Sequence, residues 1–190
     1  MKYIESLREG ERINEIYLCK VKQSALTKAG KPYDTLKVYN SVLNMYNYYV
    51  KCDELAQIPN EKGKIKNKYR SANSKTILAE RPNLINGGIQ YFNLNKNEDA
   101  LKYFAAYVDA ATLPMMEKEN LLEKDTILPQ VAYYATLAAD RVGDKDAVMK
   151  YAQYALKDKE NGQFAMQLLT DAYKAKGDTA KWVEKLQEGI

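Results

Sequence analysis

Histidine is absent from the 190 residues of this chain, and cysteine occurs only twice. Without histidine, the chain has no imidazole base, no Ser-His-Asp or Cys-His arrangement and no histidine ligand for a metal ion. Cys19 and Cys52 are too few for a disulfide framework or a cysteine-based metal site, which agrees with a reducing compartment. The sequence also lacks a glycine-rich phosphate loop. We therefore expect no enzymatic activity, no cofactor and no metal site.

Long apolar runs are missing as well. No stretch approaches the roughly 18 apolar residues of a membrane-spanning helix, and residues 1–6 lack the apolar core of a signal peptide. We expect a cytoplasmic protein with no membrane among its partners. Hydrophobic residues make up 46% and charged residues 28%, which is ordinary for a soluble globular chain. The net charge of +4 is too small to predict nucleic-acid binding by itself.

Two Gly-Asp pairs, Gly143-Asp144 and Gly177-Asp178, divide the second half of the chain. Each stands between two amphipathic helical patterns, and their separation matches the period of about 34 residues that is typical of stacked helix-turn-helix units. Asn95 makes a similar break upstream, farther from Gly143 than one period, and an insertion at 113–128 supplies the extra length. We expect helix pairs at 83–94 and 98–112, 130–142 and 145–157, and 162–176 and 179–190, with a short helix at 116–123.

Aligned on these turns, the chain resembles the tetratricopeptide repeat family. The residues of the first unit that match its signature spacings are Leu84, Gly88, Tyr91, Ala100 and Phe104. Later units match less fully, and Trp182 stands where a small residue is usual. The resemblance implies an all-α fold, a right-handed solenoid of helical hairpins with repeats at 82–112, 129–157 and 162–190.

In such an array the first helix of each pair lines a concave groove that accepts a segment of another protein. The groove residues expected here are Asn86, Ile89, Asn93, Tyr133, Leu137, Asp140, Arg141, Phe164, Gln167, Asp171 and Lys174. Relatives that bind chaperone C-termini hold the terminal carboxylate with several Lys, Arg and Asn side chains. Only Asn86 and Arg141 are candidates for that role, so we do not predict that ligand. Four tyrosines are expected between helices instead: Tyr91, Tyr107, Tyr151 and Tyr173.

Residues 32–81 are expected to form two long helices that lead into the repeats. The first covers about 34–57, between Pro32 and Pro59. The second is expected to bury a face that recurs at three- and four-residue spacing: Ile65, Tyr69, Ala72, Thr76 and Ala79.

The positive charge is concentrated around the start of this second predicted helix, at Lys62, Lys64, Lys66, Lys68 and Arg70. The favoured interpretation is the solvated side of a helix, because the lysines alternate with neutral residues rather than clustering with aromatic ones. Nucleic acid is then not expected as a partner. The alternative is a nucleic-acid-binding protein that uses this run together with its N-terminus.

Residues 1–31 do not follow the repeat pattern. Residues 3–13, 15–20 and 27–33 resemble the start of the OB-fold found ahead of HD-domain exoribonucleases. The resemblance implies a β-hairpin and ends near residue 35. A docking helix is equally compatible, since Ile13, Ile16 and Val21 recur at helical spacing and Gly30 can end a helix. The change of pattern near residue 30 raises the hypothesis of a junction between two genes.

The last helix of the predicted array carries an apolar stripe. Val183, Leu186 and Ile190 recur at three- and four-residue spacing, and no polar capping helix follows them. The stripe predicts either a fragment of a longer array or self-association through this helix.

Overall fold

The structure, a computed structural model, describes residues 34–188. Within this range the chain forms eight α-helices and no strand. The helices are α1 (Thr35–Ala56), α2 (Arg70–Asn93), α3 (Asn97–Asp109), α4 (Leu121–Lys124), α5 (Leu128–Val142), α6 (Lys145–Ala155), α7 (Gly162–Lys176) and α8 (Thr179–Glu188). Two short 3₁₀ helices, Ala110–Thr112 and Pro114–Glu119, connect α3 to α4. The predicted all-α fold class is confirmed for these residues.

Most of the packing joins helices that follow one another along the chain. Each long helix from α1 to α8 contacts the next long helix, and α5 also contacts α7. The largest core cluster extends from Val42 and Tyr46 of α1 to Ala165 of α7. Small residues bring the middle helices close, because Ala100, Ala132 and Ala135 are fully buried on α3 and α5, which pack against each other.

The three turns between paired helices share one hydrogen-bond pattern. In each turn, an amide donates to the carbonyl five residues earlier: Lys96 to Tyr91 at 2.9 Å, Asp144 to Ala139 at 2.9 Å and Asp178 to Tyr173 at 3.0 Å. The residue before each donor has a positive φ: 57° at Asn95, 79° at Gly143 and 74° at Gly177. A left-handed residue at this position is a common helix ending. The predicted turn positions are therefore confirmed.

The two last helix pairs repeat with the predicted period. Both α5 and α7 have 15 residues, and their starts, Leu128 and Gly162, are separated by the same distance in sequence as Gly143 and Gly177. The second helices, α6 and α8, begin at Lys145 and Thr179, with the same separation again. The predicted bounds of these four helices agree with the structure to within two residues wherever the structure describes the chain.

The first pair begins earlier than predicted. Pro82, expected to open a helix at residue 83, lies inside α2, which begins at Arg70. A proline inside a helix costs about 3 kcal/mol because it has no amide for the carbonyl four residues earlier. The helix nevertheless continues, since Ile77, Arg81 and Leu84 are buried along one face on both sides of Pro82. The predicted start of this helix at residue 83 is therefore wrong.

The buried face of α2 also differs from the prediction. Ile65 and Tyr69 precede the helix, and both are exposed. Within α2, Ala72 and Ala79 are exposed and Thr76 is half-buried. The residues of α2 that are buried instead are Asn73, Ile77, Arg81, Leu84, Gly87 and Gly88. Apolar spacing misidentified this face because two of its members are polar.

The connection between α3 and α5 is less regular than predicted. Instead of one helix at 116–123, it contains Pro114–Glu119 and α4, separated by Asn120 with a φ of 49°. The helix predicted to end at residue 112 ends at Asp109, and a 3₁₀ turn covers Ala110–Thr112.

Three of the four tyrosines predicted between helices, Tyr107, Tyr151 and Tyr173, are buried. Tyr91 is half-buried and stacks on Tyr103. The alternatives for residues 1–31, and Ile190 of the apolar stripe, lie outside the described residues.

Candidate functional site

A cleft of about 480 Å³ opens between α2 and α5, the first helices of two neighbouring predicted pairs. Its lining residues are Ile85, Ile89, Phe92 and Asn93 of α2, Phe104 of α3, Ile127, and Gln130, Val131 and Tyr134 of α5. Two of the aliphatic side chains are unusually open to solvent, because Ile89 is 43% and Ile127 is 50% exposed. The volume lies in the range of about 300–1,000 Å³ that is common for binding pockets. We call this site the α2–α5 cleft.

Gly88 allows Phe104, one of the lining residues, to pack closely against α2. A Cβ atom at Gly88 would clash with the ring carbons of Phe104. Because glycine has no Cβ, the Phe104 ring packs directly on α2 and is almost completely buried. Gly87 gives Tyr103 the same freedom on the neighbouring part of the helix.

Aromatic rings in mutual contact form one wall of the cleft. The Phe92 and Tyr134 ring centroids lie 5.9 Å apart, and those of Phe104 and Tyr134 lie 5.8 Å apart. Tyr133 extends the group, with its centroid 5.7 Å from that of Tyr134. Burial raises the pKa of Tyr133, which further favours its neutral phenol. Edge-to-face and tilted contacts of this kind hold the rings in place before any ligand arrives.

A buried ion pair positions the segment that carries Ile127 of the lining. Arg81 Nη2 lies 2.9 Å from Asp125 Oδ2, and the other oxygen of Asp125 accepts the Ile127 amide at 3.0 Å. The Tyr107 hydroxyl donates to Asp125 at 2.8 Å, and the Arg81 guanidinium carbon lies 3.9 Å from the Tyr107 ring centroid. Burial raises the pKa of Tyr107, which keeps this hydroxyl protonated as a donor. The backbone that carries Ile127 is thus fixed to α2.

Arg141 lies beside the cleft. Its guanidinium carbon is 4.3 Å from the Phe92 ring centroid, and Nη1 donates a long hydrogen bond of 3.4 Å to Asn97 Oδ1. The adjacent Asp140 is paired with Lys145 at 2.7 Å. Arg141 is exposed, and no carboxylate of residues 34–188 lies within ion-pair distance of it.

The structure places some of the predicted groove residues at two separate clefts. Ile89 and Asn93 line the α2–α5 cleft, and Tyr133 and Arg141 contact its aromatic wall.

A second cleft, of about 420 Å³, lies between α7 and α8, and its lining includes Gln167, Asp171 and Lys174. The remaining predicted residues line neither cleft: Asn86 and Phe164 are exposed, whereas Leu137 and Asp140 are half-buried.

Sequence reasoning did not select several lining residues, namely Phe92, Phe104, Ile127, Gln130 and Val131. Part of this set could have been found from spacing, because Ile85, Ile89 and Phe92 recur at four and three residues along α2. Phe104 belongs to a second helix and Ile127 to the insertion, so neither follows from the first-helix rule.

The basic run lies in the connection between α1 and α2. Lys62, Lys64, Lys66 and Lys68 are exposed, and none has an ion pair within residues 34–188. Lys68 Nζ lies 5.3 Å from the Tyr69 ring centroid. Arg70 differs from the lysines, because it opens α2 and binds both oxygens of Asp53, at 2.7 and 2.8 Å. This hydrogen bonding raises the pKa of Arg70 and holds its guanidinium on Asp53 of α1.

The predicted stripe on α8 is open to solvent, since Val183 and Leu186 are both exposed. Residues 34–188 contain no group of His, Cys, Asp and Glu side chains arranged to hold a metal ion. Over the same residues, no helix has both the length and the apolar character that crossing a bilayer requires. Comparison of the chain with protein-family models, curated proteins and solved structures finds no match.

Proposed function

We propose that this protein is a non-enzymatic interaction module that binds a segment of another protein in the α2–α5 cleft of a tetratricopeptide-like helical array. The observation that carries the proposal is the cleft itself. It is preformed and mostly apolar, and it leaves Ile89 and Ile127 substantially exposed. Large apolar side chains left open in a concave site mark surfaces that bind partners.

The repeated geometry of the helix pairs supports the array. The three inter-helix turns share one hydrogen-bond pattern, and the last two pairs are offset by one repeat period. In stacked hairpins the first helices of successive pairs form one continuous side, and α2 and α5 hold these positions. The cleft between them is where such arrays accept an extended or helical segment.

The composition of the cleft favours recognition over catalysis. Its nine lining residues include no Asp, Glu, Lys, Arg or Cys, and the whole chain contains no histidine. The amides of Asn93 and Gln130 provide donors and acceptors for the backbone of a bound segment. An apolar anchor with polar groups at the edge is the usual composition of a protein interface.

The proposal is tested by selecting binders from a phage library of random dodecapeptides displayed through their C-termini. The full-length chain should enrich peptides with Leu, Ile or Phe anchors. Ile89→Asp, which places a charge in the cleft, should abolish this enrichment while the circular dichroism spectrum stays helical.

Ile58→Asp is the matched control, because Ile58 is an exposed isoleucine outside the cleft. It should enrich the same peptides as the unchanged chain. Failure to enrich any peptide, or equal enrichment by Ile89→Asp, would reject the proposed function.

A further inference from the structure

The α2–α5 cleft has a charged residue at its edge but none in its lining. Its lining contains no acidic or basic side chain, so the electrostatic character of the site is set at its edge. At that edge the Arg141 guanidinium covers the Phe92 ring, with 4.3 Å from its central carbon to the ring centroid. A stacked guanidinium keeps its N–H groups at its rim free to bind a carboxylate in the ring's vicinity.

No carboxylate of the described residues lies within ion-pair distance of this guanidinium. Asp140, its neighbour on α5, is paired with Lys145. The contact of Arg141 with Asn97 is a long hydrogen bond to a neutral amide. Some exposed cations have acidic partners, as Lys102 does with Asp99 at 2.8 Å and Lys150 with Asp109 at 2.8 Å, whereas the exposed lysines between α1 and α2 have none within residues 34–188. Among residues 34–188, Arg141 is therefore a positive charge without an ion-pair partner.

We propose, on the basis of the proposed function, that the cleft selects partner segments in which an Asp or Glu lies next to an apolar anchor. The anchor occupies the part of the cleft lined by Ile89 and Phe92, and the side-chain carboxylate pairs with Arg141. Ile89 precedes Phe92 by three residues, about 4.5 Å along the helix, and the Arg141 guanidinium carbon lies 4.3 Å from the Phe92 ring centroid. An extended segment advances about 3.3 Å per residue, so the acidic residue falls within about three residues of an anchor beside Ile89. A side-chain carboxylate suffices for one guanidinium, and no free C-terminus is required.

The same phage library tests this inference, because its peptides have no free C-terminal carboxylate. The unchanged chain should enrich Asp or Glu within three residues of the apolar anchor. Arg141→Glu should keep the apolar anchor but lose the acidic enrichment, or replace it with Lys and Arg. A labelled peptide from the first pool should bind Arg141→Glu on the order of tenfold more weakly in fluorescence anisotropy.

The matched control is Lys75→Glu, which lowers the formal net charge of +4 by the same two units. Lys75 is exposed on α2, ten residues before Ile85 and so about 15 Å along the helix from the cleft. This variant should retain both the acidic enrichment and the affinity of the labelled peptide. If Arg141→Glu loses helicity, Arg141→Gln removes the charge with less perturbation and should reduce the acidic enrichment.

The outcomes separate the two proposals. Apolar peptides without acidic enrichment, or acidic enrichment that persists in Arg141→Glu, would overturn this inference and leave the proposed function intact. A pool that Ile89→Asp binds equally well would reject the proposed function. A dimer in light scattering that Ile89→Asp converts to a monomer would assign the cleft to a second copy of the chain and overturn the inference.

Discussion

Arg81 and Asp125 form a buried ion pair, with 2.9 Å between Nη2 of the guanidinium and Oδ2 of the carboxylate. The two residues are far apart in the sequence and connect α2 to the segment before α5. Because Asp125 also accepts the Ile127 amide, the pair determines the position of one cleft wall. A structural ion pair and a candidate binding surface therefore depend on the same carboxylate.

Asp125→Ala should lower the free energy of unfolding by about 3–5 kcal/mol, because it leaves the Arg81 charge buried without its partner. Urea denaturation followed by circular dichroism measures this change. Tyr107→Phe is the milder control, since it removes one hydrogen bond to Asp125 and should cost about 0.5–1.5 kcal/mol. Equal effects of the two substitutions would contradict the central role of the ion pair.

Gly88→Ala should destabilise the fold by about 1–3 kcal/mol, because the added Cβ meets the Phe104 ring in a closely packed interface. Thermal and urea unfolding measure the loss. Asn86→Ala on the same helix is the control, because Asn86 is exposed and alanine is the better helix former. Its stability should be unchanged or slightly higher.

The steric explanation has its own test. Combining Gly88→Ala with Phe104→Leu should destabilise the chain by less than the sum of the two single substitutions. Additive effects would show that Gly88 acts through backbone conformation rather than through contact with Phe104.

Asp144→Ala should destabilise the chain by about 0.5–2 kcal/mol through loss of the α6 N-cap. The Asp144 carboxylate accepts the Ala147 amide at 2.9 Å at the start of that helix. Asp146→Ala is the matched control, because its exposed ion pair with Lys176 contributes at most about 1 kcal/mol. Urea denaturation compares the two variants, and a larger loss from Asp146→Ala would refute the assignment of the cap.

The sequence predicts the parts of this fold that depend on local signals. Asn95, Gly143 and Gly177 adopt the left-handed conformation expected at helix ends, so the turns and the bounds of the later helices could be read directly. The start of α2 could not be read in this way, because a proline such as Pro82 is typical of a helix start. In the structure, burial of Ile77 and Arg81 stabilises a helix that continues through Pro82. The burial of Arg81 is explained by its ion pair with Asp125, which is distant in the sequence.

The candidate site was predictable to a similar extent. Ile89 and Asn93 follow from their positions on a first helix. Phe104 and Ile127 do not, because their positions depend on a missing Cβ at Gly88 and on the carboxylate of Asp125. Both of these are tertiary relationships, which helical spacing along one element does not encode.

Lys64→Glu combined with Lys68→Glu should leave peptide binding unchanged, and single-stranded DNA should bind the unchanged chain only weakly even at low salt. Arg70 is held by Asp53, which leaves four lysines to contact phosphates. Anisotropy of a labelled oligonucleotide over a salt series measures this, because a phosphate-binding site strengthens steeply as salt falls. Lys157→Glu with Lys159→Glu, at exposed positions between α6 and α7, is the charge-matched control. The nucleic-acid alternative would be favoured if the oligonucleotide affinity of the unchanged chain rose steeply at low salt and only the Lys64 and Lys68 variant lost this dependence.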